Sequence, residues 1–383
     1  MKSLDLLTDK NPECNPRIKV IGLGGGGCNT VNRLSLLEFP GISLAAANTD
    51  AQALAASRVE ERVTLGAGLT RGLGSGGDPA IGRRAAEESF RELIKCIKGT
   101  DLLFLTAGMG GGTGSGAIEI AARVARSLGI MTIAVVTLPF SFESGTRSHH
   151  ALEAVAHLRP FADTLITIPN DRLLSLADNR TTLSAAFSLA DDLLIKAIQG
   201  LSSIIRSEGV LSVDISHVLR LMKQEGGSYI SIGIGSGDNR VIDALDRALR
   251  HPLLEEIPIA GAVGMIVKLS GQVSVMEIQT ALEYLKSQTS DDIEIITAVS
   301  ENNLLAAEGQ VQAMVMVTGI GGVEMKETRF SEVSGLNGIE MYEEEAIPVS
   351  GSFPQVGYTH SEPTPDELEV PAFIRNSYNR VTV

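Results

Sequence analysis

Tryptophan is absent from the 383-residue sequence, and cysteine occurs only as Cys14, Cys28 and Cys96. Three scattered cysteines are too few for a disulfide framework, and none of them forms the C-x-x-C spacing of a zinc site. We therefore expect a protein of the reducing cytosol that has no structural metal of its own.

Basic clusters and long apolar segments are also missing. The chain has 32 Lys and Arg residues against 46 Asp and Glu residues, a net charge of −14, which argues against a general nucleic-acid partner. No apolar run approaches the ~20 residues of a membrane-spanning helix. The N-terminal MKSLDLLTDKNPE lacks the apolar core of a signal peptide or anchor. We expect a soluble cytoplasmic protein without direct membrane insertion.

Short apolar runs alternate with amphipathic segments in the first half of the chain. The segments 82–97 and 116–128 have helical periodicity. The runs around them are IKVIGL, ISLAAAN, DLLFLT, IMTIAVVT and DTLITI. Continuous apolar strands separated by helices are typical of βαβ units, so the pattern predicts an α/β fold with a mostly parallel sheet.

The second half changes character after a long helical pattern over 187–205. Apolar residues there recur every three or four positions for roughly 20 residues, and Gly209 is suited to end the helix. From 228 to 322 a second block predicts a smaller α+β domain. Its candidate strands are YISIGIG, GMIVKLS, IEIITAV and VQAMVMV.

The C-terminal part loses its periodic apolar pattern. Residues 326–365 hold seven Glu against Lys326 and Arg329, which predicts a disordered acidic linker. The chain then turns apolar again at LEVPAFI in 368–374. An apolar motif at the end of a polar tether is typical of a docking peptide.

The 40 glycines include a first cluster, GLGGGGCN at 22–29, between a predicted strand and a helix. Glycine there lets backbone N–H groups approach an anion at a helix N-terminus. Gly22, Gly24 and Gly27 satisfy G-x-G-x-x-G, and Asp50 follows where a dinucleotide enzyme holds its ribose. Taken alone, this cluster favours an NAD-dependent oxidoreductase.

A second cluster, AGMGGGTGSG at 107–116, also lies between a strand and a helix. Two glycine loops in one domain can surround a polyphosphate, whereas a dinucleotide-binding site needs only the first of these loops. No Gly-Lys pair of a Walker motif occurs. The phosphates are therefore expected to be held by backbone dipoles, by the Thr113 and Ser115 hydroxyls and by a metal ion.

The segment GGGTGSG at 110–116 resembles the signature of the tubulin/FtsZ superfamily, and longer segments resemble bacterial FtsZ. These are IKVIGLGGGGCN, ANTDAQAL, LTRGLGSGGDP, LPFSFESGTR, LITIPNDRLL, AIQGL and the tail LEVPAFIRN. The resemblance implies a Rossmann-like GTPase domain with a parallel sheet, a long central helix and a smaller α+β C-terminal domain. It divides the chain into an N-terminal tail (1–16), a GTP-binding domain (17–180), a central helix with a catalytic insertion loop (181–225), a C-terminal α+β domain (226–325), the linker (326–365) and a partner-binding peptide (366–383).

The same resemblance implies GTP or GDP as the ligand, with Mg²⁺ held by phosphates and water rather than by protein ligands. The implied phosphate contacts are Gly24, Gly25, Gly26, Gly27, Cys28, Asn29, Asn48, Asp50, Gly74, Gly76, Gly110, Gly111, Gly112, Thr113 and Gly114. Glu143 and Arg147 are implied at the ribose and Asn170 in the sugar-base pocket. Phe187 and Asp191 are implied at guanine, whereas we expect Asp192 to be a solvated helix charge and Cys28 to be a packing residue.

The catalytic insertion loop departs from the family pattern. The family's N-x-D-x-x-D loop acts on the γ-phosphate of the next subunit, so head-to-tail polymerisation completes the active site. Here Ser212 replaces the Asn, Asp214 is retained, and His217 replaces the second acid. A lost general base costs roughly 10²- to 10⁴-fold in rate, so we expect slow GTP hydrolysis. The alternative is a non-hydrolysing paralogue that co-assembles with, or caps, a second FtsZ.

The resemblance also implies a filament of the chain itself in the division ring at mid-cell, beneath the inner membrane. The terminal peptide is implied to bind a membrane adaptor such as FtsA. Its contact residues are Leu368, Val370, Pro371, Phe373, Ile374 and Arg375.

Deleting 366–383 is expected to leave filament formation intact and to abolish adaptor capture, because the apolar anchors for a partner groove are concentrated there. Sedimentation measures the first property and pull-down with purified adaptor the second. Retained capture by the truncated chain would contradict the docking role.

Overall fold

The computed structural model describes residues 16–37, 41–173, 181–205, 215–223, 227–252, 261–289 and 293–320. Its strands coincide with the predicted apolar runs, apart from the short β3, which no run predicted. They are β1 (Ile18–Leu23), β2 (Ile42–Asn48), β3 (Glu61–Thr64), β4 (Leu102–Gly108), β5 (Met131–Leu138), β6 (Thr164–Pro169), β7 (Gly227–Ser236), β8 (Gly264–Ser270), β9 (Glu294–Ser300) and β10 (Gln310–Ile320).

The described helices include the long central helix, α9. They are α1 (Gly24–Leu34), α2 (Ala51–Ala55), α3 (Ala67–Thr70), α4 (Pro79–Glu88), α5 (Phe90–Ile97), α6 (Gly112–Ser127), α7 (Gly145–Leu158), α8 (Asn170–Leu173), α9 (Leu183–Ile205), α10 (Ile215–Met222), α11 (Arg240–Leu249), α12 (Val275–Gln288) and α13 (Asn303–Ala307). None of these described helices is long and apolar enough to cross a membrane. Gly209, expected to end α9, lies outside the described residues.

The segment 82–97, predicted as one amphipathic stretch, is divided between α4 and α5 at Ser89. The Ser89 hydroxyl accepts a hydrogen bond from the Gly66 N–H at 2.8 Å and donates to the Thr64 carbonyl at 3.2 Å. The division therefore ties the helix pair to the loop that follows β3.

The strands follow the order β3-β2-β1-β4-β5-β6-β7-β10-β8-β9. The first six are parallel, and β6 joins β7 through the single pair Ile166↔Ser228. Beyond that pair, β10 runs antiparallel to both β7 and β8, while β9 is parallel to β8. This confirms a parallel α/β domain followed by a smaller α+β domain.

Both faces of the parallel sheet are covered, as its continuous apolar strands predicted. On β1, Ile18 and Val20 belong to a core cluster with α1 and α9, whereas Ile21 and Leu23 belong to a second cluster with α4 and α6. A third cluster fills the C-terminal domain between α11, α12 and strands β8 to β10. The parallel sheet therefore lies between two hydrophobic cores, and packing on both faces holds the ends of its strands in place.

The chain order reverses between β1 and β4. From β1 the chain proceeds to β2 and β3 on one side, then returns to β4 on the other side of β1. In open parallel sheets, ligands bind in the crevice beyond the carboxyl ends of the strands at such a reversal. The two glycine-rich loops follow the adjacent strands β1 and β4, so they lie at this crevice.

Glycines also let α4 pack directly on α6. A Cβ at Gly82 would lie 2.2 Å from the Gly112 carbonyl oxygen, and a Cβ at Gly116 would lie 2.2 Å from the Pro79 carbonyl oxygen. These contacts are with backbone atoms, which cannot move aside as the end of a flexible side chain can. The start of α6 is therefore positioned by backbone packing.

Gly116→Ala is expected to destabilise the protein by about 1–3 kcal/mol, because the methyl group overlaps the α4 backbone. Thermal unfolding measures this as a lower Tm. Gly145→Ala is the matched control, since a Cβ at Gly145, also helical, meets nothing within 4 Å. Equal Tm values for the two variants would contradict the packing role of Gly116.

Candidate nucleotide-binding site

Two helices begin side by side at the crevice. Leu23, at the end of β1, is paired in register with Ala107 of β4. Helix α1 starts at Gly24 and α6 at Gly112, and neither N-cap position, Leu23 or Gly111, supplies a side-chain hydrogen bond. Their first-turn N–H groups therefore lack side-chain caps. Together with the positive ends of two helix dipoles, they form an environment suited to an anion.

The glycines in the two loops have different structural roles. Gly24 adopts φ +69°, and a Cβ there would lie 2.7 Å from the Gly114 nitrogen. Gly110 adopts φ +92° and packs against the Arg147 carbonyl oxygen. A Cβ at Gly25 or Gly111 would instead meet nothing within 4 Å. The two loops therefore pack against each other at Gly24 and Gly114, and the space beside Gly25 and Gly111 is open.

The remaining glycines of the two loops are packed against backbone. A Cβ at Gly26 would lie 3.2 Å from the Gly108 nitrogen, and one at Gly27 would lie 2.3 Å from the Thr106 carbonyl oxygen. Gly114 approaches the Gly108 carbonyl oxygen in the same way. These positions bring α1 and α6 close to β4, which sets the separation of the two helix starts.

The hydroxyl groups of the second loop have protein partners. Thr113 Oγ1 lies 2.6 Å from Thr49 Oγ1 and 3.1 Å from Ser75 Oγ. Ser115 Oγ accepts a hydrogen bond from the Gly110 N–H at 2.8 Å. The sequence suggested both hydroxyls as phosphate ligands; in the structure they also brace the loop through these contacts.

The loop at 70–77 lies against the start of α6. A Cβ at Gly112 would approach Ser75 Oγ to 2.3 Å and the Asp78 nitrogen to 2.7 Å. Gly74 and Gly76 have φ values of +87° and +61°, and a Cβ at Gly76 would meet nothing within 4 Å. This loop therefore forms a third, glycine-rich side of the crevice.

Asn48 and Asp50 shape the neighbouring loop after β2. Asp50 caps α2, because its carboxylate accepts from the N–H groups of Gln52 and Ala53 at 2.9 and 3.0 Å. The buried Asn48 accepts from the Asp50 N–H at 3.3 Å. The sequence also suggested Asp50 for a dinucleotide ribose; the cap engages Oδ1 of its carboxylate.

Cys28 lies on α1 with only 3% of its surface exposed. Its Sγ is 3.7 Å from the carbonyl oxygens of Gly22 and Ala47. Burial raises the pKa of the thiol to about 11, so it stays protonated near neutral pH. Asn29 beside it is exposed.

The side implied for the ribose carries the pair Glu143 and Arg147, which are joined by a salt bridge. Glu143 also accepts from the Phe140 N–H at 2.9 Å. Nearby in the fold, Asn170 starts α8 with 4% exposure, and its buried Oδ1 has no hydrogen-bond partner among the described residues. A buried acceptor of this kind is costly unless it is satisfied, so a ligand donor would stabilise it.

The residues implied at the base lie on the first turns of α9. The Phe187 ring is 40% exposed and packs edge-on against Phe140 at 5.3 Å. Burial raises the pKa of the Asp191 carboxyl group, while Arg33 and Thr30 oppose that shift. An exposed ring face close to a half-buried carboxylate is suited to stacking on and hydrogen-bonding a base.

Asp192 is half exposed, in keeping with the solvated helix charge that the sequence suggested, but it is not without a partner. It forms a salt bridge with Arg33, and Arg33 also contacts Asp191 at 3.4 Å. Sequence reasoning missed Arg33 because this residue lies far from α9 in the chain. It missed Thr49 as well, although Thr49 lies between the predicted site residues Asn48 and Asp50.

The proposed catalytic set is only partly described. Ser212 and Asp214 lie outside the described residues, as do the tail residues Leu368, Val370, Pro371, Phe373, Ile374 and Arg375. His217 is exposed on α10.

Several known proteins are similar to this chain in sequence and in fold. Residues 17–178 match the GTPase domain of the Tubulin/FtsZ family, and residues 226–321 match the C-terminal domain of the FtsZ family. Cell division protein FtsZ 2 of Rhizobium meliloti is 41% identical over 311 residues, covering 80% of this chain and 89% of that protein.

Solved structures give the same result. An FtsZ dimer from M. jannaschii is 35% identical, with a TM-score of 0.76 over 83% of this chain and 92% of that chain. CetZ2 from Haloferax volcanii, solved as a GTPγS-bound protofilament, is 19% identical and shares the fold, with a TM-score of 0.68 over 82% and 96%. The chain therefore belongs to the tubulin/FtsZ family of GTPases, as an FtsZ-type member related to cell division proteins.

Proposed function

We propose that this protein binds GTP, assembles head to tail into filaments of the division ring, and hydrolyses GTP slowly where two subunits meet. The observation that carries the proposal is the crevice between β1 and β4, where two helices begin without side-chain caps and the space beside Gly25 and Gly111 is open. Such a site suits the phosphates of a nucleotide.

Recognition of guanine is supported by the end of the crevice formed by α9. An ionised Asp191 can accept hydrogen bonds from both N1–H and the 2-amino group of guanine, and adenine offers no such pair of donors. The exposed Phe187 ring supplies a stacking surface. The buried Asn170 Oδ1, which lacks a partner in the described structure, would gain a donor from the ligand.

We propose that Mg²⁺ binds with the triphosphate and is coordinated by phosphate oxygens and water. Across the described residues, no group of three or more His, Cys, Asp or Glu side chains could hold a metal ion. Mg²⁺ usually keeps several waters and needs few protein ligands when phosphates are present. The ion would offset the repulsion between phosphate charge and a chain of net charge −14.

Head-to-tail assembly is supported by exposed apolar residues in both domains. Leu73, 85% exposed, belongs to the loop beside the phosphate crevice. In the C-terminal domain, Val275 and Met276 are 81% and 70% exposed at the start of α12. Large apolar side chains left in solvent mark candidate interaction surfaces. We propose that these two regions meet when one subunit covers the nucleotide of the next.

Slow hydrolysis is proposed from the insertion loop, in which Asp214 stands without a second acid and His217 takes the place of that acid. A neutral imidazole can accept a proton, so His217 provides a partial replacement. The same departure favours the second candidate function, a paralogue that co-assembles with or caps another FtsZ. We further propose that the terminal peptide links the filament to an adaptor such as FtsA at the division site.

Sedimentation with GTP, GDP and a non-hydrolysable GTP analogue tests the proposal, with phosphate release followed in the same tube. We expect polymer with GTP and with the analogue, little polymer with GDP, and slow phosphate release. A chain that pellets only with a second FtsZ would instead support the capping function. If pelleting did not depend on the nucleotide, either alone or with a second FtsZ, both candidate functions would be contradicted.

Gly25→Ala is expected to weaken GTP binding roughly tenfold while leaving Tm unchanged or slightly higher. Its methyl group meets no protein atom and improves helix propensity by about 0.5–1 kcal/mol, but it projects into the space proposed for the phosphates. Displacement of a fluorescent GTP analogue measures the affinity. Gly261→Ala, another open position, serves as control, and equal affinities for the two variants would contradict the phosphate assignment.

His217→Asp is expected to accelerate phosphate release at matched polymer mass, by up to roughly 10²-fold, because it restores the missing acid. His217 is exposed in the single chain, so the fold should tolerate the change and Tm should stay constant. An unchanged rate would show that His217 does not act on the nucleotide.

A further inference from the structure

Arg33 occupies an unusual position between two adjacent carboxylates of α9. Its Nη2 forms a salt bridge with Asp192 Oδ1, while Nη1 lies 3.4 Å from Asp191 Oδ2 and 3.4 Å from the Ser188 carbonyl oxygen. Strong guanidinium–carboxylate bonds are shorter, roughly 2.7–2.9 Å. The strong partner of Arg33 is therefore Asp192, and its contact with Asp191 is loose.

The second contact to Asp191 is equally loose. Thr30 Oγ1 lies 3.4 Å from Asp191 Oδ1, but it also lies 3.2 Å from the Gly26 carbonyl oxygen. A hydroxyl group has one proton to donate, so Thr30 cannot serve both acceptors fully. Both oxygens of Asp191 therefore keep lone pairs for another donor.

The surroundings of Asp191 disfavour its ionised form, and a nearby cation opposes that effect. Its side chain is 23% exposed, and burial raises its pKa, with the like charge of Asp192 adding to that effect. Arg33 and Thr30 act in the opposite direction. The charged groups placed against Asp191 in the described structure are Arg33 from α1 and Asp192 from α9, so Arg33 is its counterion.

We propose that Arg33 is a positioning residue for guanine specificity: held by Asp192, it keeps Asp191 ionised without occupying the carboxylate oxygens that accept from the base. This inference rests on the proposed function, because it takes Asp191 to be the guanine-binding group. Arg33 lies in the last turn of α1, the helix that begins at the first phosphate loop. The same helix therefore serves the phosphate end and the base end of the site.

The chemistry gives the role a distinctive signature. An ionised carboxylate accepts from both N1–H and the 2-amino group, whereas a protonated one has an acidic O–H that faces a donor of guanine. Inosine triphosphate (ITP) lacks the 2-amino group, so its binding depends less on this ionisation. A hydrogen bond to a charged group corresponds to roughly 10- to 100-fold in affinity. Loss of the counterion should therefore reduce the preference for GTP over ITP.

The test compares the full-length protein with Arg33→Ala, Arg33→Lys, Asp192→Ala and the control Lys196→Ala. Lys196 is an exposed cation on α9, so its removal makes the same change in net charge as Arg33→Ala. Affinities for GTP, ITP and ATP are measured with Mg²⁺ by displacement of a fluorescent GTP analogue, between about pH 8 and about pH 5.5. Tm is recorded for each variant.

We expect Arg33→Ala to weaken GTP binding roughly tenfold and ITP binding much less, as for the loss of one charge-assisted hydrogen bond. GTP affinity requires the ionised carboxylate, so it is full above the Asp191 pKa and is lost below it. Without Arg33 that pKa is higher, and the loss on acidification should begin at a higher pH. Arg33→Lys should restore part of the preference, Asp192→Ala should reduce it less than Arg33→Ala does, and Lys196→Ala should match the unmodified protein.

Parallel losses of GTP and ITP affinity in Arg33→Ala, or an unchanged GTP preference and pH profile, would overturn the positioning role and leave the proposed function standing. An unmodified protein that binds ATP as tightly as GTP would overturn the proposed function, and the inference with it.

Discussion

The close approach of three backbone segments at the reversal of the sheet is the constraint on which the site depends. Gly24 on α1 lies against Gly114 on α6, and Gly82 on α4 lies against Gly112. Any Cβ at these contacts would overlap backbone atoms that cannot move aside independently. Without a Cβ at these positions, two helix starts and a third loop can converge beyond the ends of β1 and β4.

Convergence of helix starts explains how a strongly acidic chain can bind a polyanion. The net charge of −14 opposes phosphate binding at long range. Helix dipoles and N–H groups of the first turn act at short range. The loops that carry them are braced by hydroxyl contacts such as that between Thr49 and Thr113. On the proposed site, local backbone geometry would supply the attraction that the side chains as a whole do not.

Much of the fold could be predicted from sequence, including the position of both glycine-rich loops. Strands buried on both faces give continuous apolar runs, and glycine clusters after β1 and β4 indicate both helix starts. The division at Ser89 could not be predicted, because it depends on a hydroxyl bonded to a distant loop. Arg33 and Asp192 were missed as partners because the fold alone brings α1 against α9, and a charged residue on a helix carries no sequence signal for its partner.

We propose that the phosphates of a guanine nucleotide lie between the starts of α1 and α6, held mainly by backbone. A crystal structure of the full chain with a non-hydrolysable GTP analogue and Mg²⁺ tests this most directly. We expect phosphate oxygens within hydrogen-bond distance of N–H groups in 24–27 and 111–114, with the base between Phe187 and Asp191. Phosphates bound elsewhere, or held chiefly by lysine and arginine side chains, would contradict it.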